Sequence, residues 1–115
     1  MEVLSEPDER ILTITRLSDP PGLRLEGELD ATRHEDVTAA LSSLVTEASE
    51  VRLDLAGLRF IDLGALSMLA GFVERQEKDV RIVLDNMSPS VEQLIELLSW
   101  ERLPGLVRGQ KGDSR

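Results

Sequence analysis

Residues 51–75, VRLDLAGLRFIDLGALSMLAGFVER, decide the fold. Val51, Leu53 and Leu55 alternate with Arg52 and Asp54, the period-2 pattern of a strand with one buried face. Gly57 interrupts the pattern. After Phe60 and Ile61, the carboxylate of Asp62 is placed to accept from backbone N–H groups of a following helix. That helix is apolar at Leu63, Ala65, Leu66, Met68, Leu69, Ala70, Phe72 and Val73, with only Gly64, Ser67 and Gly71 as breaks before Glu74. Most of its sides are therefore expected to lie under protein. About a dozen residues cannot span a bilayer. Strand, capped turn and buried helix form one unit, and the turn is the expected functional site.

Working outward, the N-terminal side supplies a hairpin and a helix. Ile11, Thr13 and Thr15 share one side of a strand at 10–16, with Leu12 and Ile14 on the other. The turn SDPPG at 18–22 leads into a second strand in which Leu23, Leu25, Gly27 and Leu29 alternate with Arg24, Glu26 and Glu28. Thr32 and Glu35 have the spacing of a capping box, and Val37, Ala40, Leu41, Leu44 and Val45 form the stripe of the first helix. On the C-terminal side, the charged turn at 74–79 precedes VRIVL at 80–84, a short apolar run expected to be covered on both faces. Ser88 then caps a third helix with Pro89 at its first position. Its stripe is Val91, Leu94, Ile95 and Leu98, widened by Leu97 and Trp100. Residues 103–107 read as a turn into a short last strand.

The order β-β-α-β-α-β-α-β predicts an α/β fold: an open, mixed, mostly parallel sheet of four to five strands with three or more helices. Ligands of such sheets meet the carboxyl ends of the strands, so Asp30, Asp62 and Asn86 are expected to converge there. One domain is expected over 10–108, between flexible tails at 1–9 and 109–115.

Composition narrows the function classes. The chain has 115 residues, and its 22 acidic against 13 basic side chains give a net charge of -9. That balance disfavours nucleic acid, whose binders draw their affinity from lysine and arginine clusters, and suits a basic partner surface. There is no cysteine and no tyrosine, with two phenylalanines and one tryptophan, so thiol chemistry is absent and stacking platforms are scarce. MEVLSEPDER has no apolar core of a secretion signal, and a cytoplasmic protein without membrane insertion is expected. Asp30 and Asp62 read as turn caps rather than as an acid/base pair or a metal site, because no histidine, cysteine or serine nucleophile accompanies them. His34, the single histidine, reads as solvated, and neither GxGxxG nor GxxxxGK[ST] occurs. No enzyme, cofactor or metal is expected.

Three segments, GELDA at 27–31, LDLAGLRFID at 53–62 and DNMSPSVEQLIEL at 85–97, together resemble the STAS domain of bacterial anti-sigma factor antagonists. The resemblance implies a non-enzymatic switch module that binds an anti-sigma factor or its kinase and so acts on transcription. In that family the segment after Phe-Ile runs Asp-Ser-Ser/Thr-Gly-Leu, and the first serine receives the phosphate. Here the run is Asp62-Leu63-Gly64-Ala65-Leu66, so the phosphoacceptor position is held by Leu63, which has no hydroxyl. The implied contact surface comprises Asp30, Thr32, Arg59, Asp62, Leu63, Gly64, Leu66, Ser67, Asn86 and Ser88, not switched by phosphorylation at the usual place. Leu63 reads either as a helix-start residue packed on its neighbours or as an apolar anchor of an interface. Ser67, one turn on, is either a displaced phosphoacceptor or a buried hydroxyl bonded back to a carbonyl, and its apolar neighbours favour the second. Two other roles fit the resemblance: a STAS subunit on the ATPase of an ABC lipid transporter, and a domain that senses a small ligand. Whether the chain forms a homodimer is open.

Overall fold

The computed structural model describes residues 2–3 and 12–111. Its order is β1 (Glu2–Val3), β2 (Leu12–Leu17), β3 (Gly22–Leu29), a 3-10 turn (Ala31–Arg33), α1 (His34–Val45), β4 (Glu50–Asp54), β5 (Leu58–Ile61), α2 (Leu63–Glu74), β6 (Arg81–Asp85), α3 (Pro89–Leu98), a second 3-10 turn (Trp100–Arg102) and β7 (Leu106–Arg108). The expected hairpin is β2 with β3, antiparallel, Leu12 opposite Gly27. The sheet runs β1-β2-β3-β4-β6-β7, and the pairs β3·β4, β4·β6 and β6·β7 are parallel.

Two strands exceed the sequence expectation. Glu2 and Val3, within the segment expected to be a tail, pair antiparallel with Arg16 and Thr15, and the rest of 1–9 lies outside the described residues. The expected C-terminal tail is described only to Lys111, and its first residues continue along β6: Gly109 N–H donates to Leu84 O at 2.8 Å, and Asn86 N–H to Gln110 O at 2.8 Å. The second extra strand, β5, pairs with β3. β3 serves β4 through Gly22, Leu23 and Arg24, then β5 through Gly27, Glu28 and Leu29. The change of partner falls between Arg24 and Gly27, and the pairing with β5 itself carries a register shift between Gly27 and Glu28, where Arg59 is passed over. Gly27 has φ 108°, a left-handed backbone that favours glycine, and its N–H donates to Gly57 O at 3.1 Å.

The crossovers β3–α1–β4, β5–α2–β6 and β6–α3–β7 all advance the same way across the sheet. Right-handed crossovers that never reverse direction put every helix on one face. Burial agrees. Leu23, Leu25, Leu29, Val51, Leu53, Ile82 and Leu84 join the helices' Val37, Leu41, Leu66, Leu69, Phe72 and Ile95 in one core. On the other face lie Arg24, Arg52, Asp54 and Asp85, linked side to side: Arg52 Nε and Nη2 donate to the two carboxylate oxygens of Asp85 at 2.8 Å each, and Arg24 Nε donates to Asp54 at 3.3 Å. β6 is buried on both sides, as its composition implied, but helices cover only one of them. Val83 and Asp85, which face away from the helices, are 5% and 8% exposed beside Arg52 and the backbone at Gly109.

The caps follow the sequence at two helices of three. Ser88 Oγ accepts from Val91 N–H at 3.3 Å with Pro89 at the start of α3. The capping box at α1 does not form. Asp30 accepts both the Thr32 N–H, at 2.9 Å, and the Thr32 hydroxyl, so Asp30 rather than Thr32 is the capping acceptor, and it caps a separate 3-10 turn at 31–33. The helix itself begins at His34 without a side-chain cap.

Candidate functional site

The turn between β5 and α2 is held by Asp62. Its backbone is extended, φ −112° and ψ 175°, and its Oδ1 accepts from Ala65 N–H at 2.8 Å while Leu66 N–H donates to the Asp62 carbonyl at 3.1 Å. Leu29 and Ile61 are register partners, so Asp30 and Asp62 leave the sheet side by side. The turn at 30–32 reaches α2: a Cβ on Gly64 would lie 3.2 Å from Ala31 Cβ. Replacing Asp62 with Ala removes the cap and is expected to cost about 1 kcal/mol of stability, read from urea unfolding.

Around this turn the apolar groups are outside. Leu63 is 48% exposed and, on the strand before it, Phe60 is 47% exposed. Gly64 and Ser67 are exposed beside Leu63 on α2, whereas Ala65, Leu66, Met68, Leu69, Ala70 and Phe72 are buried. Two expectations are corrected here. Leu66, assigned to the contact surface, is fully buried in the core, because the helix turns it toward the sheet. Ser67, expected to be a buried hydroxyl, is exposed, because the outward strip of α2 is Leu63, Gly64 and Ser67. Arg59 and Thr32 are exposed and Asp30 and Asp62 half-buried. Phe60 lies outside the expected contact surface, yet it is exposed. Its exposure was hidden because Arg59 and Phe60 both face outward between buried Leu58 and Ile61, which no alternation announces.

Asn86 and Ser88 stand apart from this turn. Insertion of β5 on β3 splits the carboxyl ends of the sheet into two groups. Asp54 and Asp85 are register partners, and Asn86, with φ 59°, donates from Nδ2 to Asp54 Oδ1 at 2.9 Å. Asn86 and Ser88 line a cleft of about 610 Å³ with Ala56, Met87, Pro89, Glu92 and residues 108–111. Asp30 and Asp62 do not line it. Arg108, on its wall, pairs with Glu92 and Glu96 and lies 5.2 Å from the ring centre of Trp100.

The carboxylates act as acceptors. The Thr32 hydroxyl and then the Thr32 N–H hold Asp30 below the ordinary 3.8 of an aspartate, against the upward effect of burial and with Arg33 assisting. At Asp54 burial pulls the pKa up, but the bonds from Asn86, the Ala56 N–H and Arg24 outweigh it and the net direction is down. A depressed folded pKa stabilises the protein above the unfolded value and loses that contribution as pH falls through the folded one. Stability is therefore expected to fall below about pH 4, and Asp54→Asn should flatten that decline in urea unfolding at acid pH. Among the described residues no group of three or more histidine, cysteine, aspartate or glutamate side chains could hold a metal ion, and no helix is long and apolar enough to cross a membrane.

The family model described as "Mlab, STAS domain" matches residues 12–108. No curated protein matches the chain. An anti-sigma factor antagonist from Mycobacterium paratuberculosis is similar in structure, with TM-score 0.65, 20% identity and 90% of each chain covered. The anti-sigma factor antagonist SpoIIAA in its unphosphorylated form gives TM-score 0.60 and 19% identity, covering 91% of this chain and 90% of that one. The Bacillus cell fate determinant SpoIIAA in the phosphorylated form gives 0.58 and 19%, covering 86% and 91%. The mixed α/β sheet with its three helices is the fold of these antagonists, as the sequence implied.

Proposed function

We propose that this chain, which belongs to the STAS domain family, works as a protein-interaction module of the anti-sigma factor antagonist type, acting by binding rather than by catalysis. Its partner is an anti-sigma factor, the kinase of one, or a related regulator in the cytoplasm, and the outcome is control of transcription. The observation that carries this is the half-exposed Leu63 at the capped start of α2, with half-exposed Phe60 three residues before it. Apolar side chains in a polar rim supply most of the free energy of an interface. Leu63 cannot accept a phosphate, so the surface stays competent at all times. Arg59, Thr32 and Ser67 complete its exposed ground.

A second role rests on the same residue. A STAS subunit seated on the ATPase of a lipid transporter also needs an apolar face that no phosphate interrupts. Affinity capture from the native cells, followed by mass spectrometry of the retained proteins, separates the two. Recovery of an anti-sigma factor or kinase supports the first role, and recovery of a transporter ATPase replaces it with the second.

A further inference from the structure

The surroundings of Phe60 and Leu63 are acidic, and this bears on what docks there. Glu28 is the register partner of Phe60 on the outward face of the sheet. Glu26 reaches the loop before β5, where a Cβ on Gly57 would lie 2.8 Å from Glu26 Cγ. Asp30 and Asp62 flank the turn itself, and His34, Glu35 and Asp36 are exposed at the start of α1. Among the described residues the cations of the same region include Arg59, half-buried Arg33 and, farther down β3, Arg24, which pairs with Asp54 at 3.3 Å, and the chain as a whole carries -9. Gly64 and Ser67 put little bulk beside Leu63, so a partner side chain can settle against it.

We propose that the partner presents to this turn a segment with apolar side chains flanked by lysine or arginine, seated on Phe60 and Leu63 and selected by the carboxylates of Glu26, Glu28, Asp30 and Asp62. The inference rests on the turn being the docking surface and adds the chemistry of what docks. Apolar anchors govern how long a complex lasts, while complementary rim charge governs how fast it forms and which partners are rejected. A second copy of this chain fits poorly, since each copy would bring the same carboxylates to the contact.

The test uses the full chain and a defined probe: a helical peptide of about 18 residues with leucine on one face and lysine on the other, and its leucine–glutamate counterpart. Binding is followed by amide shifts in NMR. The lysine peptide is expected to shift the amides around Phe60, Leu63 and Gly64, with affinity falling about tenfold between roughly 50 and 500 mM salt as screening shortens the reach of the carboxylates. The glutamate peptide should not bind. Glu26→Lys with Glu28→Lys should weaken the lysine peptide about fivefold or more, and Leu97→Ser, on the exposed face of α3, should change nothing. Equal binding of both peptides, no binding of either, or shifts centred on α3 would overturn the proposal. So would a concentration-dependent dimer abolished by Leu63→Glu, which would give the turn to a second copy. If the natural partner needs Leu63 yet associates independently of salt, the charge selection fails and the docking surface stands.

Discussion

Leu63→Glu is expected to weaken capture of the natural partner by about 30-fold or more, the loss of an interface anchor worth at least about 2 kcal/mol. The side chain is 48% exposed and lies outside the core cluster, so its removal opens no cavity in the core. A glutamate in the first turn of α2 also sits well with the helix dipole. Folding stability should therefore stay within about 0.5 kcal/mol of the parent, which separates a lost contact from a lost fold. The neighbouring Leu66→Ala is the contrast. Leu66 is 0% exposed, and its truncation should cost about 2–5 kcal/mol of stability while leaving the outward surface in place. Capture by Leu63→Glu equal to that of the parent would move the contact surface elsewhere.

The second large effect is expected at Arg52. Its guanidinium donates twice to Asp85, which is 8% exposed and otherwise accepts only from Gln110 N–H, at 2.8 Å, among the described bonds. Both β4 and β6 carry this pair on the face that no helix covers, and the backbone at Gly109 presses on the same carboxylate. Arg52→Met leaves that carboxylate with one donor in a place that water barely reaches. A loss of about 2–4 kcal/mol follows, discounted from the fully buried case because the arginine itself is partly solvated. In a domain of this size that is a fall in melting temperature on the order of 10–15 °C. Arg52→Met combined with Asp85→Leu should recover much of the loss, since an apolar pair removes the stranded charge, although Gln110 N–H then lacks its acceptor. A double variant no more stable than the single one would contradict this account of the pair.

What the sequence disclosed and what it hid divide mainly by the distance along the chain between the partners. Features set by neighbours in the chain were legible. Asp62 caps α2 and Ser88 caps α3 because each needs only a carboxylate or hydroxyl three residues before an N–H, and the alternation in β3 and β4 marks their buried faces directly. Features set by distant partners were not. β5 exists because the upper half of β3 is free to pair with it, and Leu58–Ile61 alone carries no strand period. Its insertion then separated Asn86 from Asp30 and Asp62, which the expectation of a single crevice had joined. The capping box at Thr32 is a local exception: Asp30, two residues earlier, is itself the capping acceptor of a 3-10 turn, and α1 begins after it without a side-chain cap. The outward strip of α2 was hidden for another reason. Gly64 and Gly71 have no side chain to mark a solvated face, so Ser67 looked enclosed. The Arg52–Asp85 pair joins two strands 33 positions apart and leaves no trace in either one.

The central claim is that the turn at Leu63 is an unswitched contact surface. Incubation of the full chain with the cognate kinase and ATP, followed by intact mass and by capture of the partner before and after, tests it most directly. The expected result is no added phosphate and unchanged capture. A phosphate recovered on exposed Ser67, with release of the partner, would show that the switch has moved by one helical turn and contradict the claim.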